Sequence, residues 1–322
     1  MQFNAIKELV TENFQAVDDF ILKSLHSSLN LINDIGKHLV QGGGKRVRPL
    51  VLLLIAKACG YKGKQDIDLA TVIEFIHTAT LLHDDVVDNS HLRRGRQTAN
   101  TVWGNKAAIL VGDFIYSRAF QILTSVANQR VMQIMAETTN TMAEGEVLQL
   151  IDRHNPEITE GIYLNIIRSK TAKLFEAATQ LGAVLSNATP SIQQAMALYG
   201  MHLGTAFQLI DDMMDYQASP SQTGKNIGND LAEGKVTLPL IHAIQNGNAA
   251  DVRLIKHAIQ ERKTEDLPAV QKAIERTGSI AYTVRFAQIE VKRAQEALLQ
   301  LPASVYREGA HALAQFALER TS

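Results

Sequence analysis

Residues 68–88, DLATVIEFIHTATLLHDDVVD, read as one long, largely apolar helix that ends in three carboxylates, Asp84, Asp85 and Asp88. Asp84 and Asp88 are four residues apart and so share a helix face. Like charges stacked there repel one another, and at a helix C-terminus they also oppose the backbone dipole, so the cluster calls for a cation. The same DDxxD pattern closes a second apolar stretch as Asp211, Asp212 and Asp215. At this aspartate content chance supplies the pattern only ~0.04 times, so two copies point to one purpose. Hard oxygen donors suit Mg²⁺, which keeps waters and shares its shell with phosphate oxygens. Two facing clamps would hold a diphosphate through bridging metals.

Outward from this stretch the helical period recurs. Phe14, Val17, Ile21, Leu25 and Leu29 mark an amphipathic helix, with a break at Gln41-Gly42-Gly43-Gly44. Pro49, in Lys45-Arg46-Val47-Arg48-Pro49, suits the first turn of the next helix. After a polar stretch at 89–97, further helices are expected over about 101–126, 128–150, 160–186, 190–217, 236–246, 250–262, 267–298 and 303–320. Residues 216–234, with Pro220, Gly224, Gly228 and Gly234, lose the period and read as a lid or binding loop. No Ser- or Pro-rich linker and no repeat divides the chain, so residues 1–322 are expected to form a single domain.

Composition agrees with a soluble all-α protein: 46% of the 322 residues are hydrophobic, while only 6% are aromatic and 7 are Pro. The 32 basic and 33 acidic residues nearly cancel, so no global field draws nucleic acid, and charged chemistry must be local. The lone Cys59 has no partner for an internal disulfide and fits a reducing compartment as a small core residue. The first residues lack the basic start and apolar run of a secretory signal. The longest apolar run, Pro49 to Ala56, is far short of the roughly 20 residues that cross a bilayer, so no transmembrane segment is expected.

Cations that could meet a diphosphate lie beside the clamps: Arg93 and Arg94 after the first, Lys225 and Lys235 after the second. Guanidinium groups bind phosphate bidentately, and lysines act as mobile point charges. Leu81-Leu82-His83-Asp84-Asp85-Val86-Val87-Asp88, Arg93-Arg94-Gly95 and Phe207-Gln208-Leu209-Ile210-Asp211-Asp212-Met213-Met214-Asp215 stand in one order with Gly42-Gly43-Gly44-Lys45-Arg46-Val47-Arg48-Pro49, Lys170-Thr171-Ala172 and Gly224-Lys225-Asn226. In this order of motifs, over roughly residues 40–240, the chain resembles the trans-prenyl diphosphate synthases, and among them the bacterial octaprenyl diphosphate synthases.

That resemblance implies a single large helical bundle of the isoprenoid synthase type around a central cavity. It implies two or three Mg²⁺ ions on Asp84, Asp85, Asp88, Asp211 and Asp215, with Asp212, Lys170 and Lys225 in the same catalytic cluster. Arg93, Lys170, Thr171, Gln208, Lys225 and Lys235 would surround the allylic diphosphate. Lys45, Arg48, His77 and Arg94 would bind isopentenyl diphosphate. The implied reaction adds isopentenyl units to an allylic primer such as farnesyl diphosphate, giving a long all-trans chain, octaprenyl by similarity, for a quinone side chain. A cytoplasmic homodimer, loosely associated with membranes through its lipid product, is implied as well. Ala79 and Thr80 lie about one turn below Asp84. In the family bulky aromatics there stop elongation early, so these small residues imply an open path, with Leu123 or Met135 as a floor.

Three other readings stand beside this one. Glu74-Phe75-Ile76-His77 and Glu308-Gly309-Ala310-His311 match the Glu-x-x-His of ferritin-like di-iron bundles. Chance alone supplies ~0.5 copies of that pattern, and it leaves both aspartate clusters unexplained. A non-catalytic subunit of a heteromeric synthase is the second, and intact clamps and cations argue against it. A class I terpene cyclase is the third, although such enzymes usually replace the second DDxxD. Within the resembled family, the alternative is a shorter-chain synthase.

Overall fold

A computed structural model describes residues 1–217, 228–262 and 264–319. Helices dominate, and the one sheet among the described residues is a two-stranded hairpin. The chain divides into two compact units, each drawn from three stretches of sequence.

The first unit comprises Met1–Thr139, Leu174–Gly200 and Ala297–Leu313. It begins with α1 (Phe3–Glu8), α2 (Thr11–Ser24), α3 (Asn30–Gln41), α4 (Val47–Ala58) and α5 (Gln65–Val87). The hairpin β1 (Leu92–Arg93) and β2 (Arg96–Gln97) follows, then α6 (Ala99–Trp103), α7 (Asn105–Ser125) and the first part of α8 (Gln129–Ile151). Every residue from Leu50 to Ala56 is 0% exposed, as a helix that is apolar all round must be, so α4 is a core helix of this unit. The aspartate-bearing α5 packs on α4 and α7.

The single helix expected through Leu25 and Leu29 is two, α2 and α3. Asn33 closes the corner by accepting from the Ser27 N–H (2.9 Å) and donating to the Ser27 carbonyl (2.8 Å), which leaves Leu29 61% exposed. The helix expected over 101–126 is likewise divided at Gly104, whose φ of 84° leaves the helical region. By length and composition α7 could cross a membrane, a feature not evident from the shorter Pro49–Ala56 run, but a core helix passes the same test.

The second unit comprises Asn140–Lys173, Met201–Glu296 and Ala314–Ser322. It holds the rest of α8 and α9 (Glu160–Ile167), started by the Thr159 hydroxyl accepting from the Ile162 N–H. A π-helical turn, Arg168–Ala172, ends this stretch where one helix was expected over 160–186; α10 (Lys173–Leu185), from Leu174, and the first part of α11 (Pro190–Gln217) then belong to the first unit, and α11 from Met201 on to the second. Beyond lie α12 (Asn229–Ala232), α13 (Leu238–Asn246), α14 (Ala249–Glu261), α15 (Leu267–Arg276) and α16 (Ser279–Ala297), and α17 (Val305–Glu319) begins in the first unit and ends in the second. The expected 267–298 helix is broken at Gly278, φ 65°. Leu209, Ile210, Leu231, Leu240, Ile255 and Val270 centre this unit's core. The expected 216–234 loop contains α12, and its residues 218–227, Lys225 among them, lie outside the described residues.

Candidate active site

The first aspartate cluster is at the end of α5, with Asp88 as its C-cap. Successive helical residues point about 100° apart, so adjacent aspartates meet different surroundings. Asp85 turns inward and is 4% exposed, while Asp84 and Asp88 are half-buried. Asp85 Oδ1 accepts from Arg93 Nε at 2.9 Å and Arg93 Nη2 at 2.7 Å. Arg93 reaches back because β1 and β2 are joined by two residues with positive φ, Arg94 (53°) and Gly95 (73°), the signature of a type I′ turn. The same turn sends the Arg94 guanidinium to the Gly43 carbonyl.

A cleft in this unit is lined by Arg46, Glu74, His77, Arg93, Arg94 and Arg96. Arg48 Nη1 donates to His77 Nε2 at 3.2 Å, and its guanidinium stacks 4.4 Å from the Phe175 ring. Arginine has only donors, so His77 Nε2 must accept and its proton sits on Nδ1. Burial, then Arg48, Arg94 and Arg93, holds the imidazole well below its ordinary pKa, so His77 is neutral at physiological pH. Burial also pushes the Glu74 carboxyl up, while Arg46, Arg48 and Arg94 pull it back. Lys45 is exposed, its ammonium 5.9 Å from the Phe3 ring. His77 and Glu74 stand among several arginines, with no cluster of carboxylates and histidines among the described residues, which is anion chemistry and not a di-iron ligand set. Ala79 (0% exposed), Leu123 and Met135 are buried, while Thr80 is half-buried and donates to the His77 carbonyl.

The second cluster, near the end of α11, repeats the division of labour. Asp212 is buried, Asp215 half-buried and Asp211 exposed. Asp212 accepts from the Tyr163 hydroxyl at 2.6 Å and from Gln208 Nε2 at 2.5 Å. Burial first, then Asp230, pushes its carboxyl up to about 8 against these two donors. Gln208 in turn accepts from the Thr171 hydroxyl at 2.9 Å. Lys170 Nζ donates to Glu146 (2.6 Å) and Gln149 (2.9 Å) of α8. Both Asp215 oxygens accept backbone N–H groups, from Asn229 (3.1 Å) and Asp230 (2.9 Å), which fastens the start of α12 to the end of α11. Lys235 pairs with Glu233 at 2.5 Å.

The donor set around both clusters is oxygen, which suits a hard divalent cation. Among the described residues no three such side chains converge as a ready-made cage, so an ion there would complete its shell with water and substrate oxygens. Arg46, Tyr163, Glu146 and Gln149 were not evident from sequence as site residues. The last two are among many polar residues along α8 and so gave no distinct signal, and Tyr163 sits in a largely apolar run that gives none either.

The polyprenyl synthetase family model matches residues 29–277. The chain belongs to the polyprenyl synthetase family. This family member is 47% identical over 321 residues to the octaprenyl diphosphate synthase of Escherichia coli, covering 99% of both chains. It is 45% identical over 312 residues to the geranyl-diphosphate-specific all-trans-nonaprenyl-diphosphate synthase of Rhodobacter capsulatus, covering 97% of this chain and 96% of that one. Among solved structures, it superposes with a TM-score of 0.96 at 37% identity on a polyprenyl synthase from Caulobacter crescentus complexed with calcium and isoprenyl diphosphate, over 100% of this chain and 98% of that one. This polyprenyl synthetase thus has the all-α fold of the isoprenoid synthase prenyltransferases.

Proposed function

We propose that this polyprenyl synthetase elongates an allylic diphosphate, farnesyl diphosphate by preference, with successive isopentenyl diphosphates to give a long all-trans product, octaprenyl in length, for a quinone side chain. The observation that carries the reading is the paired clusters. In each DDxxD the middle carboxylate is buried and held by side-chain donors, and the outer positions are the more exposed. Full-length similarity to an octaprenyl synthase supports the chain length.

In this reading Asp84, Asp88, Asp211 and Asp215 hold two or three Mg²⁺ ions, and Asp85 and Asp212 set the geometry from behind. The metal supplies electrostatic stabilisation of a departing diphosphate. Arg93, Lys170 and Lys235, with Lys225, gather cationic charge where negative charge develops as the allylic C–O bond breaks. Lys45, Arg48 and Arg94 fix the diphosphate of isopentenyl diphosphate so that its double bond attacks the allylic cation. Neutral His77 keeps an Nδ1–H to donate. The released diphosphate then takes the proton that restores the alkene, so no protein nucleophile is required. The two units together serve as one catalytic domain, and the active form is a cytoplasmic homodimer of the 35.4 kDa chain that meets membranes only through its product.

The test is incubation of the purified chain alone with Mg²⁺, farnesyl diphosphate and isopentenyl diphosphate, with the products sized by chromatography. Products near eight isoprene units support the proposal. Absence of any elongation by folded protein would point to a non-catalytic subunit, and termination at three or four units to a short-chain synthase.

A further inference from the structure

Glu290 of α16 is a carboxylate with 0% exposure, placed among two arginines, Arg168 and Arg293, and the imidazole of His202. His202 Nδ1 on α11 lies 2.5 Å from Oε2, Arg293 Nη1 donates to Oε1 at 2.9 Å, and Arg168 Nη2 is 3.6 Å from Oε1. A carboxylate taken wholly out of water is costly unless it is paired, and retaining one is a reason to ask what it holds.

Arg168 opens the π-helical turn Arg168–Ala172, which carries Lys170 and Thr171. Such wide turns are rare and weakly bonded, and they recur at functional sites. This one is gripped from both sides. On the α8 side, Gly145 approaches so closely that a Cβ there would stand 2.8 Å from the Lys170 backbone nitrogen and 2.9 Å from Ser169 Cβ. On the other side, Arg168 is tied to Glu290, while its Nε is buried without a hydrogen-bond partner. Among the contacts described, the Arg168 guanidinium thus meets the Glu290 carboxylate through Nη2 as an ion pair.

We infer that Glu290 is a positioning residue for the allylic half of the reaction. By anchoring Arg168 against α11 and α16 it holds the π turn in the register that presents Lys170 and Thr171. The inference rests on the proposed assignment of those two residues to the allylic diphosphate. Burial pushes the Glu290 carboxyl up, but His202, Arg168 and Arg293 outweigh it and keep it below its ordinary value, so the anchor is an anion whenever the enzyme works. The residues assigned to isopentenyl diphosphate, Lys45, Arg48, His77 and Arg94, all belong to the first unit, whereas Glu290, Arg168 and His202 belong to the second, so the anchor should act on the allylic half.

The experiment is steady-state kinetics with each substrate varied in turn, on Glu290→Gln, Arg168→Gln and their double variant, with Gly145→Ala and Lys170→Ala alongside. Glu290→Gln keeps the shape and removes the charge. It should raise the allylic KM about tenfold and change the isopentenyl KM less than about twofold, the split expected when one substrate's positioning is loosened. The double variant should be no worse than either single one, since both cut the same link. Gly145→Ala, which presses the turn from the opposite side, should move the same constant, and it keeps the test open if Glu290→Gln does not fold. Equal rises in both KM values, an unmoved allylic KM in folded protein, or full additivity in the double variant would overturn the inference. If those results came with a raised allylic KM in Lys170→Ala, only Glu290's role would be lost. If Lys170→Ala itself left the allylic KM unmoved, the assignment of the half-site would fail, and the inference with it.

Discussion

Asp85 and Asp212 occupy the same place in their motifs, yet one is held by a guanidinium and the other by a phenol and an amide. That contrast predicts different pH behaviour. Asp212 is pushed up to about 8, above the roughly 3.9 of an exposed aspartate. Between those values the folded chain keeps a proton that the unfolded chain has released, so this group makes stability fall as pH rises through the window. In metal-free protein, Asp212→Asn cannot titrate and should flatten the decline of Tm between about pH 4 and 8; an unchanged slope in thermal melts would reject the shift. The outer aspartates act on chemistry instead. Asp84→Ala or Asp211→Ala should lower turnover at least about 10³-fold with no loss of Tm, since each removes a proposed metal ligand and relieves like-charge repulsion. Near-normal turnover at limiting Mg²⁺ would remove the clamp assignment. Sequence pointed to these six aspartates through a repeated pattern, but not to which carboxylate of each trio is buried. That depends on Arg93 folding back over a hairpin and on Tyr163 arriving from another helix, both decided by tertiary contact.

Helix α5 carries the first clamp, the His77 hydrogen bond and the residues below the clamp, so its two small side chains can be separated by their surroundings. Thr80 is half-buried, with its hydroxyl satisfied by its own helix, whereas Ala79 is fully buried. Thr80→Phe should therefore shorten the product while the first condensation stays within about tenfold. Ala79→Phe should overpack the core and lose about 1–3 kcal/mol of stability. Product chromatography and denaturant melts distinguish the two, and an unshortened product from well-folded Thr80→Phe would count against a path beneath the clamp. At this scale the helices were legible wherever the apolar period ran unbroken, as in α5, α8 and α11. The misses fall where one residue interrupts a period that continues on both sides, at Gly104 and Gly278, or where side chains close a corner, as Asn33 does around Ser27. The π turn left no trace in the sequence, because the neighbours it packs against, Gly145 of α8 and Glu290 of α16, are brought to it only by the tertiary fold.

Across the whole molecule most of the assigned residues divide by unit, Arg93 of the allylic set being an exception in the first. Lys45, Arg48, His77 and Arg94 belong to the first, and Lys170, Thr171 and Gln208 to the second. Arg48→Ala should mainly raise the KM for isopentenyl diphosphate, by about tenfold, and Lys170→Ala mainly that for the allylic primer. A reversed pattern in steady-state kinetics would show that the basic residues are wrongly apportioned. The division also bears on how the protein comes into being. Neither unit is a continuous stretch of chain: the first needs residues 297–313, where Ala310 accepts from the Tyr199 hydroxyl at 2.7 Å and Gly309 lies against Leu54. A ribosome delivers those residues long after α4, so the apolar α4 waits for part of its cover. Neither core can close domain by domain as the chain emerges. Closure of the first core is thus a late event, set by the arrival of a segment far from α4 along the chain.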